Sequence, residues 1–239
     1  MAEPAGSLWG ESMIRKIIRR IQLYRKLRFF QYLYLNHFCK SVIRTDRFHI
    51  FPYRNTVIEI DPTARIYLGG GDIELGCDQL KGSRAETRVR LRENAVWSNE
   101  GGCCISYGST LEILPGAVLD SRFFTMNSDS TVIAAKRIQI GQDVMIGRGV
   151  IIYDSDHHSI RNGEGEVVNP DAPILIGDHV WLATHVTVLK GASIGNGSVI
   201  GANTAVHGAV EPNSMCQTDS TLKSRKNYGT WGREHPSLS

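Results

Sequence analysis

A chain of 239 residues with 41% hydrophobic and 21% charged residues has the composition of a soluble globular protein of one or two domains. Its net charge of +3 is too small to argue for nucleic acid as a partner. The five cysteines, Cys39, Cys77, Cys103, Cys104 and Cys216, are odd in number and show no CxxC spacing, which argues against a zinc knuckle or a disulfide scaffold and for a reducing compartment.

In chain order, the first element predicted is helical. Between Met13 and Phe38, apolar residues at Ile14, Ile17, Ile18, Ile21, Leu27 and Phe30 recur with a 3.6-residue period. Eight Lys or Arg and no Asp or Glu fall between Met13 and Lys40. The segment is expected either to pack on its own β-domain or a neighbouring subunit, or to dock on an anionic membrane surface. No apolar run approaches the roughly 18 to 20 residues of a membrane span, and nothing near Met1 reads as a signal peptide, so a cytoplasmic location is expected, peripheral to the membrane if the helix docks.

From Thr56 the texture changes to short β-branched stretches separated by Gly, Asn and Asp. From Ile176 the sequence falls into sixes: IGDHVW, LATHVT, VLKGAS, IGNGSV, IGANTA, VHGAVE. Every first position is aliphatic (Ile176, Leu182, Val188, Ile194, Ile200, Val206), and every fifth is small or β-branched. Ile140 and Ile146 keep the same phase upstream. A period of six predicts a triangular coil, with one short strand and one tight turn per hexapeptide, the leading aliphatic inward, and three sides closing a turn of about 18 residues. Gly, Asn and Asp supply the positive φ that such turns demand. The expected division is a basic helical segment over 1–55, a coil domain over 56–212 and a tail over 213–239, with Pro212 ending the regular coils.

The repeat breaks between Ile152 and Ile176, which stand 24 residues apart, one hexapeptide more than an 18-residue turn. The intervening YDSDHHSIRNGEGEVVNPDAP is too polar for an aliphatic interior and is expected to project as a loop over 153–173. Its paired histidines, flanked by carboxylates, are candidates for a general base: an imidazole with pKa near 6.5 can accept a hydroxyl proton at neutral pH. Asp156 is placed to orient such an imidazole. Trp181 follows the loop, where an exposed aromatic could cover a bound ligand.

The combination DSDHHSI, a loop ending near Asn169, IGDHVW and VLKGASIGNGSVIGANTAV, within a match from about Phe123 to Pro212, resembles the hexapeptide-repeat acyltransferases that O-acetylate sugars and surface polysaccharides, including the maltose and galactoside branch and the polysialic-acid type. The resemblance implies an all-β, left-handed parallel β-helix. It further implies a homotrimer, acetyl-CoA as co-substrate, no metal, and a sugar or polysaccharide acceptor. A loop histidine would be the base. The D-x-H-S-I pattern lands on His158, the favoured residue, and the Tyr-x-x-x-His spacing on His157. Trp181, Ala183, Thr184 and Ala202 would lie along coenzyme A, and Asp129 would take the acceptor. The tail departs from the family's pattern at Val206-His207-Gly208 and from Gln217 to Ser220, where His207 and Lys223 are candidates for phosphate contacts.

Two other readings compete. A γ-type carbonic anhydrase would use His179 and His185 as zinc ligands, but they stand six apart and so on different sides of the prism. A sugar-binding scaffold without turnover would suit the altered tail.

Overall fold

The computed structural model describes residues 26–218. Among them, 23 short strands make three parallel sheets in which every third strand of the chain pairs. The first sheet runs from β1 (Val42–Arg44) to β22 (Ala209–Val210), the second from β2 (Ile50–Pro52) to β23 (Met215–Cys216), and the third from β3 (Thr56–Ile60) to β21 (Ala205–Val206). The chain thus climbs a three-sided, left-handed parallel β-helix.

The inward positions stack in register. On the third sheet Val89, Leu111, Val132, Ile152, Val188 and Val206 form one column, each at most 4% exposed. The first-position aliphatics of the hexapeptides are buried from Ile176 to Val206, and so are the fifth-position residues Val180, Val186, Ala192, Ser198 and Thr204 at the corners. Each fully buried aliphatic removes enough surface from water to contribute about 1.5 to 3 kcal/mol. In the earlier coils, the column of the first sheet through Leu68, Asn99, Ser121 and Ile140 turns polar. There Ser121 Oγ accepts from Trp97 Nε1 at 3.0 Å and Asn99 Nδ2 at 2.9 Å, so the buried polar groups satisfy one another.

The turns follow the expected chemistry with an addition. Asp143, His179, Gly197 and Asn213 occupy successive positions of one corner, and Gly149, His185 and Asn203 of another, all with positive φ. His179 and His185 are therefore residues of tight turns. Such positions favour Gly and Asn, and tolerate a polar side chain that can point to solvent.

Two boundaries differ from expectation. The coils begin before residue 56, since β1 and β2 already pair with later strands, and they run past Pro212 to β23. Pro212 sits at a corner where no ladder hydrogen bond is required of it. The first coil escaped notice because its next turn is long: Ile50 pairs with Ile73, 23 residues on.

Of the predicted N-terminal helix, the part before residue 26 lies outside the described residues. The described part forms a short helix α1 (Phe29–Leu33) and a π-helical turn, Tyr34–Phe38, packed on the first coil through Tyr32 and Leu35. Buried Asn36 fastens it: Oδ1 accepts from Ile50 N (2.9 Å) and Arg44 Nη2 (2.8 Å), and Nδ2 donates to Tyr32 O and Ile50 O (2.8 Å each). Leu27 of the predicted apolar stripe is buried, but Phe30 is 85% exposed. No helix among the described residues is long and apolar enough to cross a membrane.

The register predicts a contrast between neighbours on β13 (Arg137–Ile140). Ile138→Ala, which removes a buried side chain, is expected to cost about 2 to 5 kcal/mol in denaturant unfolding. Exposed Gln139→Ala is expected to stay within about 0.5 kcal/mol. Equal costs at the two positions would contradict the register.

Candidate active site

The histidine loop leaves the prism after β15 (Ile151–Tyr153) and returns at β16 (Ile174–Ile176). Ile152 and Ile176 lie on consecutive sides, not on the same side of successive turns, so the insertion is larger than the single hexapeptide expected. Ile152 pairs with Val188, 36 residues on, whereas Val188 pairs with Val206, 18 on. A whole coil's length of chain is extruded at one corner.

Three anchors hold it there. Asp154, placed in the projecting loop by its charge, is instead fully buried beneath the corner. Its Oδ1 accepts from Ala135 N at 2.6 Å, and its Oδ2 from Lys136 N at 2.9 Å and Arg137 N at 2.6 Å. Three backbone donors thereby satisfy a carboxylate that would otherwise be costly to bury. The second anchor is Lys190, from the turn after β18 (Thr187–Leu189), whose ammonium donates to Asp156 Oδ2 at 2.6 Å, Asn169 O at 2.9 Å and Pro170 O at 3.3 Å. The third is Asn169, whose Nδ2 donates to Asp156 Oδ2 (2.8 Å) and His158 O (2.9 Å), while its Oδ1 accepts from Ile160 N (2.6 Å). The two ends of the loop are thus tied together over Lys190.

Asp156 ties the loop to Lys190 and Asn169. Hydrogen bonds from Lys190 and then Asn169 hold its carboxyl below the usual carboxylate range. Among the described residues no carboxylate hydrogen-bonds either loop imidazole. His157 has φ +60°, its N–H donates to Ser155 Oγ at 2.9 Å, and its ring meets Tyr153 edge-on at 5.3 Å between centroids. His158 follows it and is exposed. Both border a pocket of about 250 Å³ with Ser155, Asn169, Pro170 and Asp171. A larger cleft of about 420 Å³ lies at another corner, lined by Arg122, Arg137, Asp178 and Asn196. It carries no proton acceptor of histidine type, so the smaller pocket is the better candidate for base chemistry.

The remaining predicted residues are elsewhere on the chain. Trp181 is exposed on the outer face of β17 (Trp181–Leu182) in the second sheet. Ala183, Thr184 and Ala202 lie at the next corner, and exposed Asp129, φ +64°, lies in the turn before β12 (Thr131–Ala134) on that same corner. One side of the prism separates them from the loop: Thr184 to Lys190 is six residues, roughly 20 Å at about 3.3 Å per residue. Sequence reasoning missed Asp154, Asn169 and Lys190 as anchors of the histidine loop. Lys190 stood in plain view as the third residue of VLKGAS, but only the folded corner brings it beneath the loop.

The anhydrase reading does not fit this arrangement. His179 Nδ1 lies 2.7 Å from Asp143 Oδ2, His185 lies against Gly149, and the two occupy different corners, so among the described residues three converging imidazoles are not assembled.

Asp154→Ala is expected to lower stability by about 3 kcal/mol in denaturant unfolding, because three part-buried backbone N–H groups lose a charged acceptor, with Asp154→Asn intermediate. Lys190→Met is expected to raise amide exchange over residues 157–169 while leaving the coils protected. Since the Asp156 value is depressed on folding, its contribution to loop order is present above the ordinary carboxylate pKa of about 3.9 and lost as pH falls through the lower folded value. Exchange in the loop that ignored both changes would show that these anchors do not hold it.

The family profile described as bacterial transferase hexapeptide (six repeats) matches residues 173–208. C18B11.09c of Schizosaccharomyces pombe, an acetyltransferase by assignment, is 33% identical over 149 residues, which cover 61% of this chain and 69% of that one. A galactoside O-acetyltransferase of Escherichia coli is 34% identical over 111 residues, 45% of this chain and 50% of that one. A polysialic acid O-acetyltransferase of Neisseria meningitidis is 44% identical over 69 residues, 28% of this chain and 32% of that one. The chain thus spans half or less of the length of these last two. With the repeat, the three-sided coil and the match across two thirds of the yeast protein, the chain belongs to the hexapeptide-repeat transferase family.

Proposed function

We propose that the chain is an O-acetyltransferase that moves an acetyl group from acetyl-CoA to a hydroxyl of a sugar or polysaccharide, with His158 as general base. The observation that carries this reading is the histidine loop itself: an exposed imidazole pair held over a pocket by Lys190, Asn169 and Asp156. The names of the galactoside and polysialic acid relatives point to the same acceptor class.

The chemistry needs one proton acceptor at neutral pH. A sugar hydroxyl is almost fully protonated, and the neutral imidazole takes its proton as the oxygen attacks the thioester carbonyl. The tetrahedral intermediate collapses with cleavage of the carbon–sulfur bond, and the imidazolium returns the proton to the departing thiolate. Ester, free thiol and neutral base result. His157 suits the base role less well, because its positive φ makes it the turn residue that aims the next side chain. Lys190, through Asp156 and Asn169, positions the loop backbone that carries His158.

The separation of the loop from Trp181, Ala183, Thr184 and Ala202 supports a cyclic trimer, in which the loop of one copy meets the face and corner of the next, with coenzyme A between them. The 48% exposure of Trp181 on a single chain, beside outward Met145 at 49%, suits a face that a second copy completes.

His158→Ala is expected to lower turnover at least about 10²-fold with a smaller effect on coenzyme binding, since a base acts in the transition state. His157→Gly, which keeps the turn, is expected to retain turnover within about tenfold. The opposite ranking would move the base to His157, and indifference to both would end the mechanism. Thiol release from acetyl-CoA with sugar acceptors is the assay. For the trimer, a loop-defective His158→Ala chain mixed with a groove-blocked Ala202→Trp chain is expected to recover about a quarter of wild-type activity at equal amounts. No recovery after verified exchange of subunits would place the whole site on one copy.

A further inference from the structure

Toward the other end of the prism, two cysteines and a glutamate converge on the outer face of the second sheet. Glu74 of β5 (Ile73–Cys77) and Cys104 of β8 (Cys103–Ser106) are register partners on adjacent strands, so their side chains share one face. Cys77, three residues after Glu74, would point to the opposite face in a regular strand. It does not, because β5 carries one extra residue. Leu75 pairs with Ile105 and Cys77 with Ser106, leaving Gly76 as a bulge with φ +81°. An added Cβ at Gly76 would collide with Thr56 Oγ1, so the bulge is specific to glycine. Its effect is to turn the Cys77 thiol onto the face of Glu74 and Cys104.

The ligand atoms of these three residues lie within 4.8 Å of one another. A tetrahedral centre with metal–sulfur bonds of about 2.3 Å has sulfur–sulfur edges of about 3.8 Å, so closing on a metal asks for side-chain movements of about 1 Å or less. The chemistry of the donors is that of a soft, borderline cation: two thiols, which become thiolates on binding, and one carboxylate. Outer partners are in place. Tyr53 Oη donates to Glu74 Oε2 at 2.9 Å, and the Cys77 thiol donates to Cys104 and lies 4.0 Å from Ser106 Oγ. A pocket of about 240 Å³ opens beside the cluster, bordered by Tyr53, Arg54, Asp78 and Gln79, and leaves room for a fourth ligand or a water. Lys26 and Arg54 also border it, and their charge offsets the net negative charge that two thiolates and a carboxylate would retain around a dication.

We propose that Glu74, Cys77 and Cys104 form a binding site for a thiophilic divalent cation, zinc first among them. The site is separate from the histidine loop: from β8 to β14 (Val144–Ile146), in the coil from which the loop leaves, is two strand steps, about 10 Å along the axis at roughly 4.8 Å each, and the loop leaves from a corner that the second sheet does not border. It stands independently of the acetyl-transfer reading. The sequence contains no CxxC to announce it, since the two thiols are 27 residues apart and meet only through the parallel pairing and the bulge.

The test uses the full chain, reduced and stripped with chelator, with cobalt(II) as the spectroscopic probe and zinc as competitor. Binding near one equivalent per chain, with thiolate-to-cobalt charge-transfer absorption that zinc displaces, is the expected result. Cys104→Ser and Cys77→Ser are each expected to abolish that absorption, with circular dichroism confirming the fold. Tyr53→Phe is expected to keep it and weaken binding about 10- to 100-fold through the unfastened Glu74. Cys216→Ser, on the last strand, is expected to change nothing. Absence of the charge-transfer absorption in the reduced wild type, or its persistence in Cys104→Ser, would overturn the proposal. So would a reduced chain that takes up no metal and closes a Cys77–Cys104 disulfide in air, which would assign the pair to redox chemistry.

Discussion

The constraint on which the molecule depends is backbone pairing between coils. A strand of two to five residues cannot satisfy its own N–H and C=O groups, and within one coil the three sides face different directions. Each strand is satisfied only by those above and below it. The stack therefore holds when every coil returns to the same three sides in register, which the inward column from Val89 to Val206 enforces by leaving no space for a slipped residue.

That requirement explains where function can be placed. Extra chain must leave at a corner and re-enter in phase, as the histidine loop does between Tyr153 and Ile174. An exposed excursion of this length has little apolar surface of its own to order it. Its order comes from the prism: the buried Asp154 carboxylate at its root and the Lys190 ammonium beneath both of its ends. The coils at this level act as a base to which polar groups fasten the histidine loop. The bulge at Gly76 is the complementary device, adding one residue within a strand, moving the next side chain to the other face and restoring the register at Cys77.

The legibility of these features in the sequence depends on how local they are. The run from Ile176 was legible because each hexapeptide up to Val206 is one side and one turn, with coils pairing 18 residues apart until the last, where Ile194 pairs with Val210 at 16. Upstream, Ile66 pairs with Trp97 and Trp97 with Leu119, at spacings of 31 and 22 residues, and the longer corners erase the phase although the sides remain. The loop was legible as a polar break, but its length was misjudged, because two aliphatics in phase do not say which side each occupies. Its histidines were visible and its anchors were not: Asp154 binds backbone at residues 135–137, and Lys190 reaches back to Asp156. The Glu74, Cys77 and Cys104 cluster was illegible for the same reason, with the bulge as a further non-local condition.

The corners also decide what a histidine in such a coil can do. A tight turn fixes φ without fixing the side chain beyond a preference for Gly, Asn and Asp, and a histidine that tolerates the left-handed region can occupy it. Three of the histidines, His157, His179 and His185, stand at positive φ. The handful of histidines invited a metal-site reading at His179 and His185, yet His179 beside Asp143 and His185 against Gly149 belong to separate columns of corners. His157 obeys the same backbone rule with a different result. Its turn lies in the loop, so the left-handed residue redirects the chain and presents His158 beside the pocket. Backbone conformation, more than the count or spacing of imidazoles, therefore separates a histidine that closes a turn from one presented beside a pocket.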